Sequence, residues 1–243
     1  MFRSITWAAL PLLVGVAVVQ AEEIYSTSFE AADGFVEGEA IHQTDGWRAQ
    51  NEPGAALVAA DVDGDGEVRF DANFLRGCVS TLDALGVDDF SPGDRLTITL
   101  TVRALEATSP GFDANVLRLG LSIEPGLGKM TPSVGVTLGA GANGVWDVCP
   151  ALGTTDDKTD TTVTLDTTPR TLTTTITKSE TAGMFEVTNV FEGESFTHTV
   201  TDADLYAAST TDLRPVLQAQ GQSHIGGIAV ESFTIAFEAD AEQ

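Results

Sequence analysis

Asp61, Asp63 and Asp65, interleaved with Val62 and Gly64 and followed by Gly66, place three carboxylates at alternate positions ahead of a glycine. That spacing converges oxygen ligands on a hard cation, and the glycine permits the sharp turn such a loop needs. A complete Ca²⁺ loop takes a bidentate glutamate at its twelfth position, which here is Ala72, with Asp71 one place short. The flanking residues alternate like strands. Two readings stay open: a loop that holds Ca²⁺, or a polar Asp-Gly hairpin turn.

Sugar recognition calls for a flat aromatic face and convergent hydrogen-bonding groups. Trp146 follows the Asn143-Gly144 turn and stands beside Asp147. Gln218, Gln220, Gln222 and His224 recur at alternate positions and suit hydroxyl groups, although a solvated edge would look the same. Trp146, Asp147, Gln218, Gln220 and His224 are therefore the candidate ligand-binding residues, and this reading requires an exposed Trp146. Trp47 reads as a core plug.

Glu238, Asp240 and Glu242 have the alternate spacing that glycanases use. A retaining pair sits about 5–5.5 Å apart on one strand face. Here only Ala239 and Ala241 lie between the carboxylates, and nothing around them excludes water or raises a pKa. No catalytic residues are assigned, and binding is expected over catalysis. His198 shares a face with Phe196 and Val200, which reads as a core or rim histidine. His42 and His224 lack metal-ligand spacing. No nucleophile elbow, phosphate loop or dinucleotide fingerprint is present.

Residues 1–21 read as a secretory leader, with Arg3 before an apolar run and Val19-Gln20-Ala21 as the cleavage site. The run is shorter than the roughly 20 residues of a spanning helix, and Pro11 interrupts it. The expectation is a secreted chain, extracellular or periplasmic, without membrane insertion after cleavage. Its 36 acidic residues outnumber 12 basic ones, for a formal charge of −24. Such a surface repels nucleic acid and anionic lipid. In an oxidising compartment the two cysteines, Cys78 and Cys149, are expected to bridge.

These residues need elements to carry them, and the pattern is strand throughout. Leu96, Ile98, Leu100 and Val102 alternate with Thr97, Thr99, Thr101 and Arg103. Leu117, Leu119, Leu121 and Ile123 oppose Arg118, Gly120 and Ser122, and Val134, Val136 and Leu138 stay in step. Asn143-Gly144 is a favoured hairpin dipeptide. Residues 55–60 and 67–72 pair as a hairpin around the aspartate loop, and residues 184–190 and 195–200 around Glu192-Gly193. Residues 73–93 read as a loop containing Cys78, and residues 202–209 as one helical turn. Pro215 puts the strand at 213–220 near an edge. Phe233, Ile235 and Phe237 alternate in one phase, Ile228 and Val230 in the other, so a bulge is expected at Glu231-Ser232. So apolar a strand must pair centrally, and residues 24–29 are its expected partner. Strands recur without a long amphipathic helix, the mark of an all-β antiparallel two-sheet sandwich filling residues 22–243 as one domain.

The pairs Phe29-Glu30, Gly34-Phe35 and Gly46-Trp47, together with Val230 to Ile235 in the last strand, resemble secreted concanavalin A-like, laminin-G-like jelly-roll domains of bacterial proteins. Glu231 stands where that family usually carries aspartate. The resemblance implies a jelly roll and, for function, a lectin-like or carbohydrate-binding module. Its partner would be a polysaccharide or cell-surface glycan, with Ca²⁺ as the one cofactor in view. A structural or adhesive exoprotein without a small ligand is the alternative, and a polysaccharide hydrolase or lyase the third reading.

Overall fold

The structure is a computed structural model that describes residues 21–44, 46–50, 56–60, 66–71, 78–82, 85–106, 114–123, 132–150, 158–219 and 225–240. Fifteen strands are described. In chain order they are β1 (Glu22–Thr27), β2 (Trp47–Gln50), β3 (Ala56–Ala60), β4 (Gly66–Asp71), β5 (Cys78–Leu82), β6 (Arg95–Ala104), β7 (Ala114–Ile123) and β8 (Val134–Ala140). They continue with β9 (Val145–Pro150), β10 (Thr159–Thr164), β11 (Arg170–Lys178), β12 (Met184–Phe191), β13 (Glu194–Thr201), β14 (Leu213–Ala219) and β15 (Gly227–Glu238). The one α-helix described, α1 (Ala203–Ala207), is a single turn capped by the Asp202 side chain.

The strands form two antiparallel sheets packed as a sandwich. One has eight strands, ordered β13-β12-β11-β6-β15-β4-β3, with β1 also on β15. The other has seven, ordered β10-β9-β8-β7-β14-β5-β2. Alternation puts one apolar face of each strand into the space between them. In β6, Leu96, Ile98, Leu100 and Val102 are fully buried, while Thr97, Thr99 and Thr101 face out among the threonines of β11. β-Branched threonine suits an exposed strand face, and cross-strand pairs bond there, as Thr97 with Thr175 and Thr99 with Thr173, both at 3.2 Å.

β15 seals the eight-stranded sheet. It pairs with β6 along one side; on the other, β4 takes its first half and β1 its second. The phase slip expected at Glu231-Ser232 is a register shift between Val230 and Ser232. An aromatic cluster welds the closure. Trp47 packs on Phe233 with centroids 5.7 Å apart and donates from Nε1 to the Tyr25 hydroxyl at 2.9 Å. Phe29 joins at 6.1 Å from Trp47 and 5.2 Å from Phe35. The two sequence patches behind the jelly-roll resemblance therefore touch one another.

Three expectations are corrected. Residues 73–93 are not all loop, since β5 pairs with β14 and β2. The Pro215 strand is not an edge: β14 lies between β7 and β5. Its β5 partners run only from Val216 to Ala219, so Pro215 stands just beyond them and its missing N–H costs no ladder bond there. The Cys78–Cys149 bridge is absent. Cys149 is a free, buried thiol. Cys78 aligns with Ala219, whose row continues through Leu117 and Leu138 to Val148. Four strand spacings of about 4.8 Å put the two cysteines near 19 Å apart, against a Cα reach of about 7 Å for a disulfide.

Candidate functional site

The outer face of the seven-stranded sheet gathers polar groups into a row. On β7, Leu117, Leu119 and Leu121 join the core and Arg118, Gly120 and Ser122 turn away from it. On β14, Leu213 and Leu217 point inward and Arg214 and Gln218 outward; on β9, Trp146 and Val148 point inward and Asp147 and Cys149 outward. The register aligns Gln218 with Arg118, Arg118 with Thr137, and Thr137 with Cys149 across four strands. Lys158, just ahead of β10, brings its amine to 3.8 Å from Asp147 Oδ2.

Backbone clearance shapes this face. Gly120 and Gly135 stand opposite each other, beside Arg118 and Thr137 along their strands. A Cβ on either would lie 2.1 Å from a carbonyl oxygen of the facing strand, so only glycine lets β7 and β8 approach this closely.

The electrostatics of the row are unbalanced. Arg118 Nη1 lies 3.5 Å from Gln218 Oε1, and its buried Nε has no hydrogen-bond partner. Burial pulls the guanidinium below its ordinary pKa, opposed only by the nearby Cys149. Burial likewise pushes the Cys149 thiol up, and Sγ donates to the Thr137 carbonyl at 3.7 Å. A thiol held protonated is a poor nucleophile.

Two other polar regions are accounted for by the fold. On the outer face of the eight-stranded sheet, Arg103 Nη2 donates to both oxygens of Glu67, at 2.9 and 2.8 Å, and Nε donates to Glu231 at 3.0 Å. Beside β1 and the end of β15 lies a cleft of about 410 Å³ with Asp89, Asp94 and Asp240 over Ile24 and Phe237. Its carboxylates serve the local turns. Asp94 accepts from the Ser91 and Asp240 amides at 2.7 and 2.8 Å. The Ser91 hydroxyl and then the Phe90 amide hold Asp89 below its ordinary pKa.

No family model matches the chain, and no curated protein sequence matches it. Solved structures do. Peanut lectin in complex with a nine-residue peptide superposes with a TM-score of 0.55 at 11% identity, over 91% of this chain and 100% of the lectin. Winged bean acidic lectin complexed with methyl-α-D-galactose gives 0.52 at 7% identity, over 90% and 99%. Lectin II from Ulex europaeus gives 0.51 at 8%, over 88% and 98%. The fold is the concanavalin A-like jelly roll.

Within this jelly roll the sequence candidates separate. Gln218 and Asp147 do stand on one outer face, three strands apart. Trp146 does not join them. It is fully buried, edge-on to Phe191 at 5.7 Å, and offers no ring face to a sugar. Neighbours on a strand point to opposite sides, so Trp146 and Asp147 cannot share a site. Gln220 and His224 lie outside the described residues, as do Asp61, Asp63 and Asp65. Ala60 and Gly66 pair at the open end of the aspartate loop, so its flanks are strands. Among the described residues, no group of three or more His, Cys, Asp or Glu is placed to hold a metal. Glu238 pairs with Arg95 at 3.7 Å, while Glu242 lies outside the described residues. His198 packs half-buried toward the other sheet, and desolvation lowers its pKa against a backbone bond at Gly135. Arg118, Thr137 and Lys158 were not singled out from sequence. The signal for Arg118 was there, a lone charge on a strand face otherwise of Gly120 and Ser122.

Proposed function

We propose that the protein is an exported, non-catalytic glycan-binding module whose ligand contacts the outer face of the seven-stranded sheet. The observation that carries this reading is the cross-strand row of Gln218, Arg118 and Thr137, with Asp147 and Lys158 alongside. Of these, Arg118 stands half-exposed and the others are buried around it, so a hydroxylated ligand meets the row through Arg118. The likeness to a lectin solved with methyl-α-D-galactose supports it through the shared fold. Export follows from the leader-like residues 1–21.

A glycan array probed with the protein, followed by calorimetry on the best binder, tests the reading. Binding is expected and should weaken in Gln218→Ala, measured well below that variant's own melting temperature. An array with no binder sinks it. Calcium enters through Asp61, Asp63 and Asp65 alone, by sequence. EDTA should lower the melting temperature and added Ca²⁺ restore it; identical melts in both remove the metal.

The alternative, an adhesive exoprotein without a small ligand, draws on the other sheet. Its outer face is largely hydroxyl groups bonded to one another: Ser26 with Thr234 at 3.0 Å, and Ser232 with Thr101 at 2.9 Å.

A further inference from the structure

Among the described residues, Arg118 is a cation without a counter-ion. Its hydrogen bonding among side chains amounts to the long 3.5 Å approach to a neutral amide, and its Nε is buried with no partner. Desolvating a guanidinium costs free energy that proteins ordinarily offset with a carboxylate. The chain has ample supply, with 36 acidic residues, yet none reaches Arg118 among the described residues. Other cations of this sheet face are engaged. Lys158 faces Asp147 at 3.8 Å, and Arg214 donates to the Thr211 carbonyl at 2.6 Å. The surroundings of Arg118 are also withdrawn from water: Thr137, Cys149 and Gln218 on its row are all buried, while Arg118 itself stays half-exposed. A fork of donors with one open side, in a poorly hydrated setting, suits a planar anion approaching from outside.

We infer that the glycan bound here carries an acidic substituent, a ring carboxylate or a sulfate ester, which pairs with half-exposed Arg118, the buried Gln218 and Thr137 walling that cation on either side. This rests on the glycan-binding reading above and names its ligand class. It also accounts for a cationic contact on a molecule of formal charge −24. Long-range repulsion would slow association with a polyanion, so the contact must be local and short-ranged.

Calorimetry of the full chain with three probes decides: an oligogalacturonate, a sulfated galactan oligosaccharide and an uncharged galactan oligosaccharide. Binding is expected for an anionic probe, with the uncharged one at least about tenfold weaker, the worth of a charge-assisted bond. The probe that binds identifies the substituent as carboxylate or sulfate. Arg118→Gln should abolish the preference by a similar factor, and Arg118→Lys should restore part of it. The melting temperature of Arg118→Gln should hold or rise, which separates lost binding from lost folding. Equal binding of the charged and uncharged probes, or an anionic preference that survives Arg118→Gln, overturns this inference and leaves glycan binding standing. Failure of all three probes on a protein that binds some other uncharged glycan on the array overturns it as well. No binding to any glycan removes both.

Discussion

Arg103 and Arg118 occupy matching places in two different sheets. Each stands on an outer strand face with apolar core neighbours in sequence; Arg103 is buried and Arg118 half-exposed. Arg103 is gripped by Glu67 and Glu231; Arg118 has one neutral amide at 3.5 Å. The difference separates a charge that holds the fold from a charge left unanswered among the described residues. Glu67 has no exposed side-chain surface and depends on its arginines. A buried network complete in itself is architecture, whereas an incomplete one points outward.

The largest expected effect tests the complete network. Arg103→Gln strands the Glu67 carboxylate and should cost about 3–5 kcal/mol in urea unfolding. Arg118→Met should change stability by under about 1 kcal/mol, or raise it, because only the long contact to a neutral amide is lost and no charge is stranded. Equal losses for the two variants would erase the contrast. Trp146→Ala should cost about 3–5 kcal/mol as a core cavity, whereas Asp147→Asn, one residue along on the outer face, should cost clearly less. A mild Trp146→Ala that lost glycan binding would put the tryptophan back on the surface. Thiol labelling tests the strand order that lays out the row: denatured, unreduced protein should take up reagent at both Cys78 and Cys149. Labelling only after reduction would mean the two lie close enough to bridge.

The smallest effect is a pH dependence from His198. Its folded pKa is lowered by desolvation. Above the ordinary histidine value near 6.5 both states are neutral, and the group contributes nothing to the pH dependence. As pH falls below that, the unfolded chain takes the proton first, so stability declines until the folded pKa is passed. The difference in melting temperature between wild type and His198→Gln should therefore shift against wild type between pH 7.5 and pH 5. A constant difference refutes the burial.

Much of the fold was legible because period-two alternation is strong wherever one face is buried. The slip at Glu231-Ser232 could be placed to the residue, and the Asn143-Gly144 hairpin followed from turn chemistry. β5 escaped because CVSTL is short, sits amid turn-like sequence, and finds its β14 partner about 140 residues later. The proline rule misplaced β14 because it speaks of one N–H, not a whole strand. The site was half legible. Gln218 was placed on a polar strand face, but Trp146 was grouped with Asp147 by proximity in sequence, which alternation forbids. That Arg118 lacks a carboxylate among the described residues was beyond reach, because it depends on which strands flank β7. The disulfide failed for the same reason: pairing two cysteines by compartment ignores the four strand spacings between them.

The long strand β15 lies between β6 on one flank and β4 and β1 on the other. Until residues 227–238 have been synthesised, the eight-stranded sheet exists as two fragments, β13-β12-β11-β6 and β4-β3, each with a bare ribbon of backbone donors and acceptors, and β1 has no partner strand among those described. Assembly is therefore post-synthetic, by insertion of a keystone, and rests on contacts made across nearly the full chain length. Any product halted before Gly227 would present two sticky seams, open to pairing with its own kind.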